Sequence, residues 1–168
     1  MNKVNINDIK EDPWQSPKGK FAVAFKGISE ALGRGRLRES GHRVSIDGSI
    51  PPFDLELNRM PPGKPNFPFH AHSAQWEMYL IVSGKASVRD KGGTTDVAAG
   101  DAFVFGPNEP HQITNSGNTD LIYYVIADNP LGESGYYPDS GKWKLNKKSQ
   151  ADRVVIKGNE VDYFEGEE

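Results

Sequence analysis

The stretch that decides the fold runs from Gly63 to Gly84 and reads GKPNFPFHAHSAQWEMYLIVSG. It places two histidines, His70 and His72, two residues apart, and it places a glutamate, Glu77, at the start of an apolar run. In a β-strand, residues i and i+2 point to the same face of the sheet. The two histidines are therefore predicted to project side by side, and Glu77 is predicted to open the next strand beside them.

A second stretch, GDAFVFGPNEPHQITN from Gly100 to Asn115, adds His111 behind a run of turn-forming residues. A ligand from a distant strand is what the interior of a β-barrel can supply. Three imidazoles and one carboxylate suit one divalent transition metal, and they leave positions open for water or substrate. The predicted ligands are His70, His72, Glu77 and His111. This set does not choose among Fe, Mn, Zn, Ni, Co and Cu.

Short apolar or alternating runs lie between glycine and proline turn signals along most of the chain. The predicted strands are 21–25, 42–46, 53–57, 78–82, 86–89, 94–97, 102–105 and 121–127. The alternating runs predict half-buried strands, and the continuously apolar runs at 78–82, 102–105 and 121–127 predict strands buried on both faces. Helix is expected only in a short piece at 28–32. Many short strands with regular turns predict an all-β sandwich or barrel.

The chain of 168 residues suits a single domain with one core. We expect an N-terminal extension at residues 1–41 that packs on the barrel, a β-barrel core at 42–127, and a C-terminal loop and arm at 128–168. Within the last part, residues 128–150 are expected to be a long loop. The apolar run Val154-Val155-Ile156 is expected to form a terminal strand or arm.

Composition excludes several kinds of protein. There is no cysteine, so disulfides and thiolate chemistry are ruled out. A net charge of −3 argues against nucleic-acid binding, and the basic run at 33–38 is interpreted as a solvated loop. No apolar run is long enough to cross a membrane, and Met1–Asn7 does not resemble a signal peptide, so a cytoplasmic location is expected. His42 is expected to be structural.

The two stretches resemble the two motifs of the cupin family, G-x5–6-H-x-H-x3–4-E-x6-G and G-x5-P-x-G-x2-H-x3-N. The first motif is met in full. The second is met at Gly100, His111 and Asn115, with Gly106 where proline is usual and Asn108 where glycine is usual. Residues 137–142 and 162–167 are also similar to a largely uncharacterised group of single-domain bacterial cupins.

The resemblance implies a double-stranded β-helix, or jelly-roll, cupin barrel with short terminal extensions. It also implies metal ligands inside the barrel mouth and, commonly, a homodimer. The family includes dioxygenases, oxalate decarboxylases and sugar-phosphate isomerases, and the resemblance does not identify a substrate.

Three functions are consistent with these residues. The first is a metal-dependent enzyme of dioxygenase or decarboxylase type, acting on a small oxygenated metabolite. Tyr79 is its candidate catalytic residue because it shares a strand face with Glu77, and Gln75 and Gln112 are further candidates. No inward carboxylate or histidine beyond the ligands can be assigned as a general base, which disfavours epimerase chemistry. The alternatives are a non-catalytic module that binds a sugar or organic acid, and a structural metal site.

Overall fold

The computed structural model describes residues 1–33, 52–130, 132–145, 154–158, 161–162 and 164–165. The predicted strand at 42–46, His42 and residues 34–38 of the basic run lie outside this part of the chain. Helix in the described residues is limited to a 3-10 turn, Ile6–Asp8, and to α1, Ile28–Ala31, close to the expected piece. Neither helix is long and apolar enough to span a membrane.

Strands make up the rest of the regular structure. Their bounds are β1 Asp12–Gln15, β2 Ala22–Gly27, β3 Phe53–Met60, β4 Ala71–His72, β5 Glu77–Ser83, β6 Lys85–Arg89, β7 Thr94–Ala98, β8 Ala102–Phe105, β9 Gln112–Asn115, β10 Leu121–Asp128, β11 Ser134–Tyr137, β12 Lys142–Leu145 and β13 Val154–Lys157. Every strand that the sequence predicts within the described residues is present. The Asp90–Gly93 turn joins β6 to β7 and is closed by a hydrogen bond from the Asp90 N–H to the Gly93 carbonyl.

The described strands form three antiparallel sheets. The largest has the order β1-β2-β3-β10-β5-β8, and the others have the orders β13-β12-β11-β4 and β7-β6-β9. Two isolated antiparallel bridges, Pro65 with Thr114 and His70 with His111, place the segment before β4 alongside β9 and the residue that precedes it. The all-β jelly roll expected from the sequence is therefore confirmed.

The core lies between the large sheet and the β7-β6-β9 sheet. Alternate residues of each strand point inward, as the burial pattern along β10 shows. The buried cluster consists of Val23, Met60, Tyr79, Ile81, Ala86, Val88, Phe105, Ile113, Leu121, Tyr123 and Val125. The inward face of β5 thus passes from Glu77 through Tyr79 to Ile81, from a polar end to an apolar end.

The expectation that β5 and β8 are buried on both faces was wrong. Met78, Leu80, Val82 and Val104 are between 43% and 51% exposed, because the described residues place no other element over the outer face of these strands. The continuous apolar runs of β5 and β8 therefore supply one buried face and one exposed apolar face. The outer positions of β10 are half-buried.

The expectation of a long loop at 128–150 was also wrong in part. Residues 134–145 form the β11–β12 hairpin, and β13 continues this sheet beyond β12. β11 pairs with β4, so that Gly135 lies opposite His72 and Tyr136 lies opposite Ala71. The backbone groups of β4 form hydrogen bonds with those of β11, and no sequence pattern within residues 128–150 reveals this pairing.

Candidate metal centre

The four predicted ligands come together from three segments of chain. His70 and His111 face each other across an isolated bridge, in which each backbone N–H donates to the other residue's carbonyl oxygen. His72 lies two residues along β4 from His70, and Glu77 is the first residue of β5. The ring centroids of His70 and His72 are 5.0 Å apart, and those of His70 and His111 are 4.8 Å apart.

The loop before His111 is fixed by backbone geometry. Asn108 adopts a positive φ of 63°, in the left-handed region that asparagine tolerates. Its backbone N–H donates to the carbonyl oxygen of His72 at 2.7 Å. This bond ties the loop to β4 and so sets the position of His111 relative to His72.

One ligand atom from each of the four side chains can be chosen so that all lie within 4.8 Å of one another. The Oε2 atom of Glu77 is 3.0 Å from Nε2 of His111 and 3.5 Å from Nε2 of His72. All four side chains are mostly or fully buried, and the His111 side chain is 1% exposed. The cluster therefore has the size of one coordination sphere.

The Nδ1 atom of each histidine is already engaged on the side away from the cluster. It lies 2.8 Å from the Pro68 carbonyl for His70 and 3.1 Å from the Glu109 carbonyl for His111. A carbonyl oxygen only accepts, so Nδ1 carries the proton in both residues. In the neutral imidazoles, Nε2 therefore presents a lone pair to the centre.

This arrangement suits a cation at the centre of the four side chains. The Nε2 lone pair of His111 faces a carboxylate oxygen of Glu77 at 3.0 Å, and two acceptors at this distance repel unless a proton or metal lies between them. The Nε2 atom of His72 is buried and has no hydrogen-bond partner. A buried polar atom without a partner is costly, and a metal ion would satisfy it. The donor set and its geometry thus fit a divalent transition metal.

The ionisation of the ligands suits metal binding. Burial, followed by the charges of neighbouring His111 and His72, lowers the pKa of His70 from 6.5 to about 3. Burial alone would raise the pKa of Glu77, but the positive charge of His72 and His111 in their protonated forms outweighs it and holds that pKa well below its ordinary value. His70 is therefore neutral and Glu77 is ionised near neutral pH, which are the forms that bind metal.

Tyr79 lies directly behind the carboxylate. Its hydroxyl donates to Oε2 of Glu77 at 2.8 Å and lies 3.3 Å from Nε2 of His111. Burial raises the pKa of Tyr79 well above its ordinary value, and the Glu77 charge adds to this. The hydroxyl therefore keeps its proton and acts as a donor. Gln75 and Gln112 do not reach the centre, because their amides donate to the carbonyls of Asp128 and Phe67.

Aromatic rings surround the imidazoles. Phe105 stacks on His111 with a centroid distance of 4.2 Å, and Tyr137 and Phe67 lie 6.1 and 6.3 Å from His70. Phe69 does not line the centre. It carries the guanidinium of Arg89 over its ring at 3.8 Å.

A cavity of about 480 Å³ lies beside β4. Phe69, Ala71, Tyr136 and Trp143 contribute to its lining, together with Arg89. Of the four predicted ligands only His72 borders it. The cavity is therefore distinct from the space enclosed by the three imidazoles.

Sequence reasoning missed one residue at the centre, Glu133. Its Oε1 lies 2.9 Å from Nδ1 of His72, and its side chain is 13% exposed. Burial would raise the pKa of Glu133, but the hydrogen bond from His72 and those from the Ala74 and Gln75 N–H groups lower it on balance. Glu133 comes from the segment expected to be a loop, and no local pattern connects it with a histidine 61 residues earlier.

Comparisons with known proteins agree with this fold. Residues 57–127 match the family model Cupin_2, described as a cupin domain. The oxalate-binding protein of Thermotoga maritima is 34% identical over 68 residues, which cover 40% of this chain and 55% of that protein. The chain thus spans about half the length of the curated relative that it matches.

Two solved structures share the fold. A sugar phosphate isomerase of the cupin superfamily from Silicibacter pomeroyi superposes with a TM-score of 0.72 at 18% identity, over 96% of this chain and 97% of that chain. A predicted oxalate decarboxylase from Thermotoga maritima superposes with a TM-score of 0.58 at 23% identity, over 76% of this chain and 99% of that chain.

Proposed function

We propose that the chain is a mononuclear metal-binding cupin, because residues 57–127 match the Cupin_2 family model. His70, His72, Glu77 and His111 would hold one divalent transition metal. The observation that carries the proposal is the pair of facing acceptors, Nε2 of His111 and Oε2 of Glu77, beside the unpartnered Nε2 of His72. These atoms are arranged for a cation rather than for one another.

Metal content tests this directly. Protein purified without added metal, analysed by elemental mass spectrometry, should contain about one transition-metal ion per chain, the number that one N3O site holds. The His70→Ala variant should lose most of it, and Arg89→Ala, a surface change beside Phe69, should retain it. Metal content that is the same in His70→Ala and in the parent protein would contradict the site.

We propose further that the site is that of an enzyme acting on a small oxygenated metabolite, of dioxygenase or decarboxylase type. A divalent metal would supply Lewis-acid polarisation of an oxygen donor. The protein would supply a small aromatic enclosure, formed by Phe67, Phe105 and Tyr137, that limits ligand size. Tyr79 would hold Glu77 and donate a hydrogen bond, but its raised pKa prevents it from acting as a base.

The choice of reaction class follows from the proton acceptors at the centre. Among the described residues that contact the ligands, Glu133 is the further carboxylate, and it is occupied by His72 and by backbone N–H groups. An epimerase or isomerase needs a free protein base next to its substrate. Oxidation and decarboxylation do not require one, which favours them here.

A binding module without catalysis is the second candidate. It is favoured by the name of the curated relative, an oxalate-binding protein, and by the absence of an assigned base among the described residues. Metal-loaded protein incubated with oxalate and with small keto acids separates the two. Oxygen consumption or carbon dioxide release above that of the His70→Ala variant supports an enzyme. Saturable binding without turnover supports the module.

We also propose that the chain forms a homodimer through the outer face of β5 and β8. Met78 pairs with Val104 across these strands, and with Leu80 they form an uncharged patch of exposed apolar side chains. Such a face is typical of homodimer interfaces. Light scattering should show a dimer for the parent and for Val155→Lys on β13, but a monomer for Leu80→Lys. A monomeric parent at micromolar concentration would contradict the dimer.

A further inference from the structure

We propose that Glu133 is a positioning residue of the metal centre, and that through it the β11–β12 hairpin controls metal affinity. The inference rests on the proposed metal site. It assigns a function to the C-terminal segment, which lies outside the residues 57–127 that define the cupin domain. Three features of the structure carry it: the hydrogen bonds of one carboxylate, the contrast among the three histidines, and the attachment of β11 to β4.

The Glu133 carboxylate is fully engaged by the ligand strand and its following turn. Oε1 lies 2.9 Å from Nδ1 of His72 and accepts from the Ser73 N–H at 3.3 Å. Oε2 accepts from the N–H groups of Ala74 and Gln75, both at 3.0 Å. A single side chain therefore fixes the ring of His72 and the backbone turn that leads from His72 to Glu77.

His72 differs in this respect from the other two histidines. His70 and His111 each donate from Nδ1 to a neutral carbonyl two residues earlier in the chain, so their orientation is a local property. His72 donates to an anion from a distant segment. A carboxylate partner holds the proton on Nδ1, leaves Nε2 for the metal, and raises the basicity of the ligand. His72 is therefore the ligand whose strength depends on tertiary structure.

The hairpin is attached to β4 at the same place. The Ser134 N–H donates to Oγ of Ser73 at 2.8 Å, and the Ser73 N–H donates to the Ser134 carbonyl at 2.9 Å. Gly135 lies opposite His72 in the sheet. Docking of the hairpin and orientation of His72 are therefore one event. Since coupling between two equilibria is reciprocal, metal binding should also stabilise the docked hairpin.

Cobalt(II) titration followed by visible absorption tests the positioning role. Glu133→Gln keeps the shape of the side chain but removes its charge, and we expect it to weaken Co²⁺ binding about 10- to 100-fold. The matched control is Asp139→Asn in the same hairpin, which loses a surface pair with Arg89 but touches no ligand, and it should bind like the parent. Equal thermal stability of the metal-free proteins separates positioning from general destabilisation.

Two measurements on the parent chain remain decisive if Glu133→Gln does not fold. Nitrogen-15 chemical shifts of the His72 ring in metal-free protein at mildly alkaline pH should report the Nδ1–H tautomer, and the Nε2–H tautomer would overturn the inference. Hydrogen exchange of the β11 amides should slow on addition of Co²⁺, and unchanged exchange would overturn the coupling.

The outcomes also separate this inference from the proposed function. If the parent binds Co²⁺ and folded Glu133→Gln binds it equally well, the role of Glu133 is overturned and the metal site stands. If the parent binds no metal, both are overturned.

Discussion

The two ends of the inward face of β5 lie in different surroundings, although they are four residues apart. Ile81 is 1% exposed and packs in the apolar cluster with Met60 and Leu121. Glu77 lies among three imidazoles and a tyrosine hydroxyl. The apolar end gains free energy from burial, whereas the ligand end buries polar atoms whose cost only a cation or a proton can offset. Stability and metal binding are therefore expected to respond to different substitutions.

The largest expected effect is at the ligand end. His111→Ala removes one imidazole, whose Nε2 lies 3.0 Å from Glu77, so we expect metal affinity to fall at least about 1,000-fold, which corresponds to about 4 kcal/mol. Isothermal titration with Zn²⁺ measures this. The control is Ile81→Ala, which should bind Zn²⁺ within a few-fold of the parent. Comparable losses in both variants would show that the two ends are not separable.

The converse substitution probes the apolar end. Ile81→Ala should lower the free energy of unfolding by about 3 kcal/mol, because it removes buried methyl groups and leaves a cavity in a packed core. Urea unfolding of metal-free protein measures it. Ile81→Val at the same position should cost about 1 kcal/mol. A loss below 0.5 kcal/mol for the alanine variant would mean that this end does not carry the stability of the barrel.

Acid should affect the ligand end first. The pKa of His70 is about 3 in the folded chain and 6.5 when the side chain is exposed. Below pH 6.5 His70 therefore binds a proton in the unfolded state but stays neutral in the folded state. The contribution of neutral His70 to the free energy of unfolding is therefore fully present above pH 6.5 and is lost as the pH falls below it. Between pH 7.5 and pH 5 the expected loss in metal-free protein is about 2 kcal/mol.

A His70 variant tests whether this residue causes the pH dependence of the free energy of unfolding. Urea unfolding of metal-free His70→Gln should show a flatter dependence over the same range, because the titrating group is gone. The pKa values of Glu77 and Glu133 are lowered from 4.5, so these two groups change the free energy of unfolding mainly below about pH 4.5. They therefore contribute little between pH 7.5 and pH 5. An unchanged slope in His70→Gln would place the acid sensitivity elsewhere.

The smallest of these effects is expected at the carboxylate itself. Glu77→Gln keeps an oxygen ligand but removes its charge, so we expect metal affinity to fall about tenfold, less than for any histidine. Zn²⁺ titration again provides the measurement, with Tyr79→Phe as a control that removes the hydrogen bond and keeps the charge. Parent-like affinity in Glu77→Gln would exclude Glu77 from the coordination sphere and confine the ligand end to the imidazoles.

Much of this arrangement could be predicted from the sequence. The i, i+2 spacing of His70 and His72 and the position of Glu77 before an apolar run report strand faces directly, because side-chain direction alternates with period two. The structure brings together all four predicted ligands, and it places Tyr79 against Glu77 as the shared face of β5 predicts.

Other features could not be predicted because they depend on which chain segment returns to which edge. An apolar run does not reveal whether its second face is covered, so the exposed outer face of β5 was missed. The sequence of the β11–β12 hairpin has no strong strand pattern. In the structure β11 pairs with β4, a segment more than 60 residues earlier in the chain.

The sequence alone determined the ligand chemistry, the strands of the core and the face of β5 on which Glu77 lies. Side-chain type and the alternation of side chains along a strand are local properties, so each can be read from neighbouring residues. Tertiary structure alone decided that Glu133 meets His72 and that the apolar outer surface of β5 stays uncovered in the described chain. Contacts between segments tens of residues apart depend on the path of the whole chain, and no local spacing encodes that path.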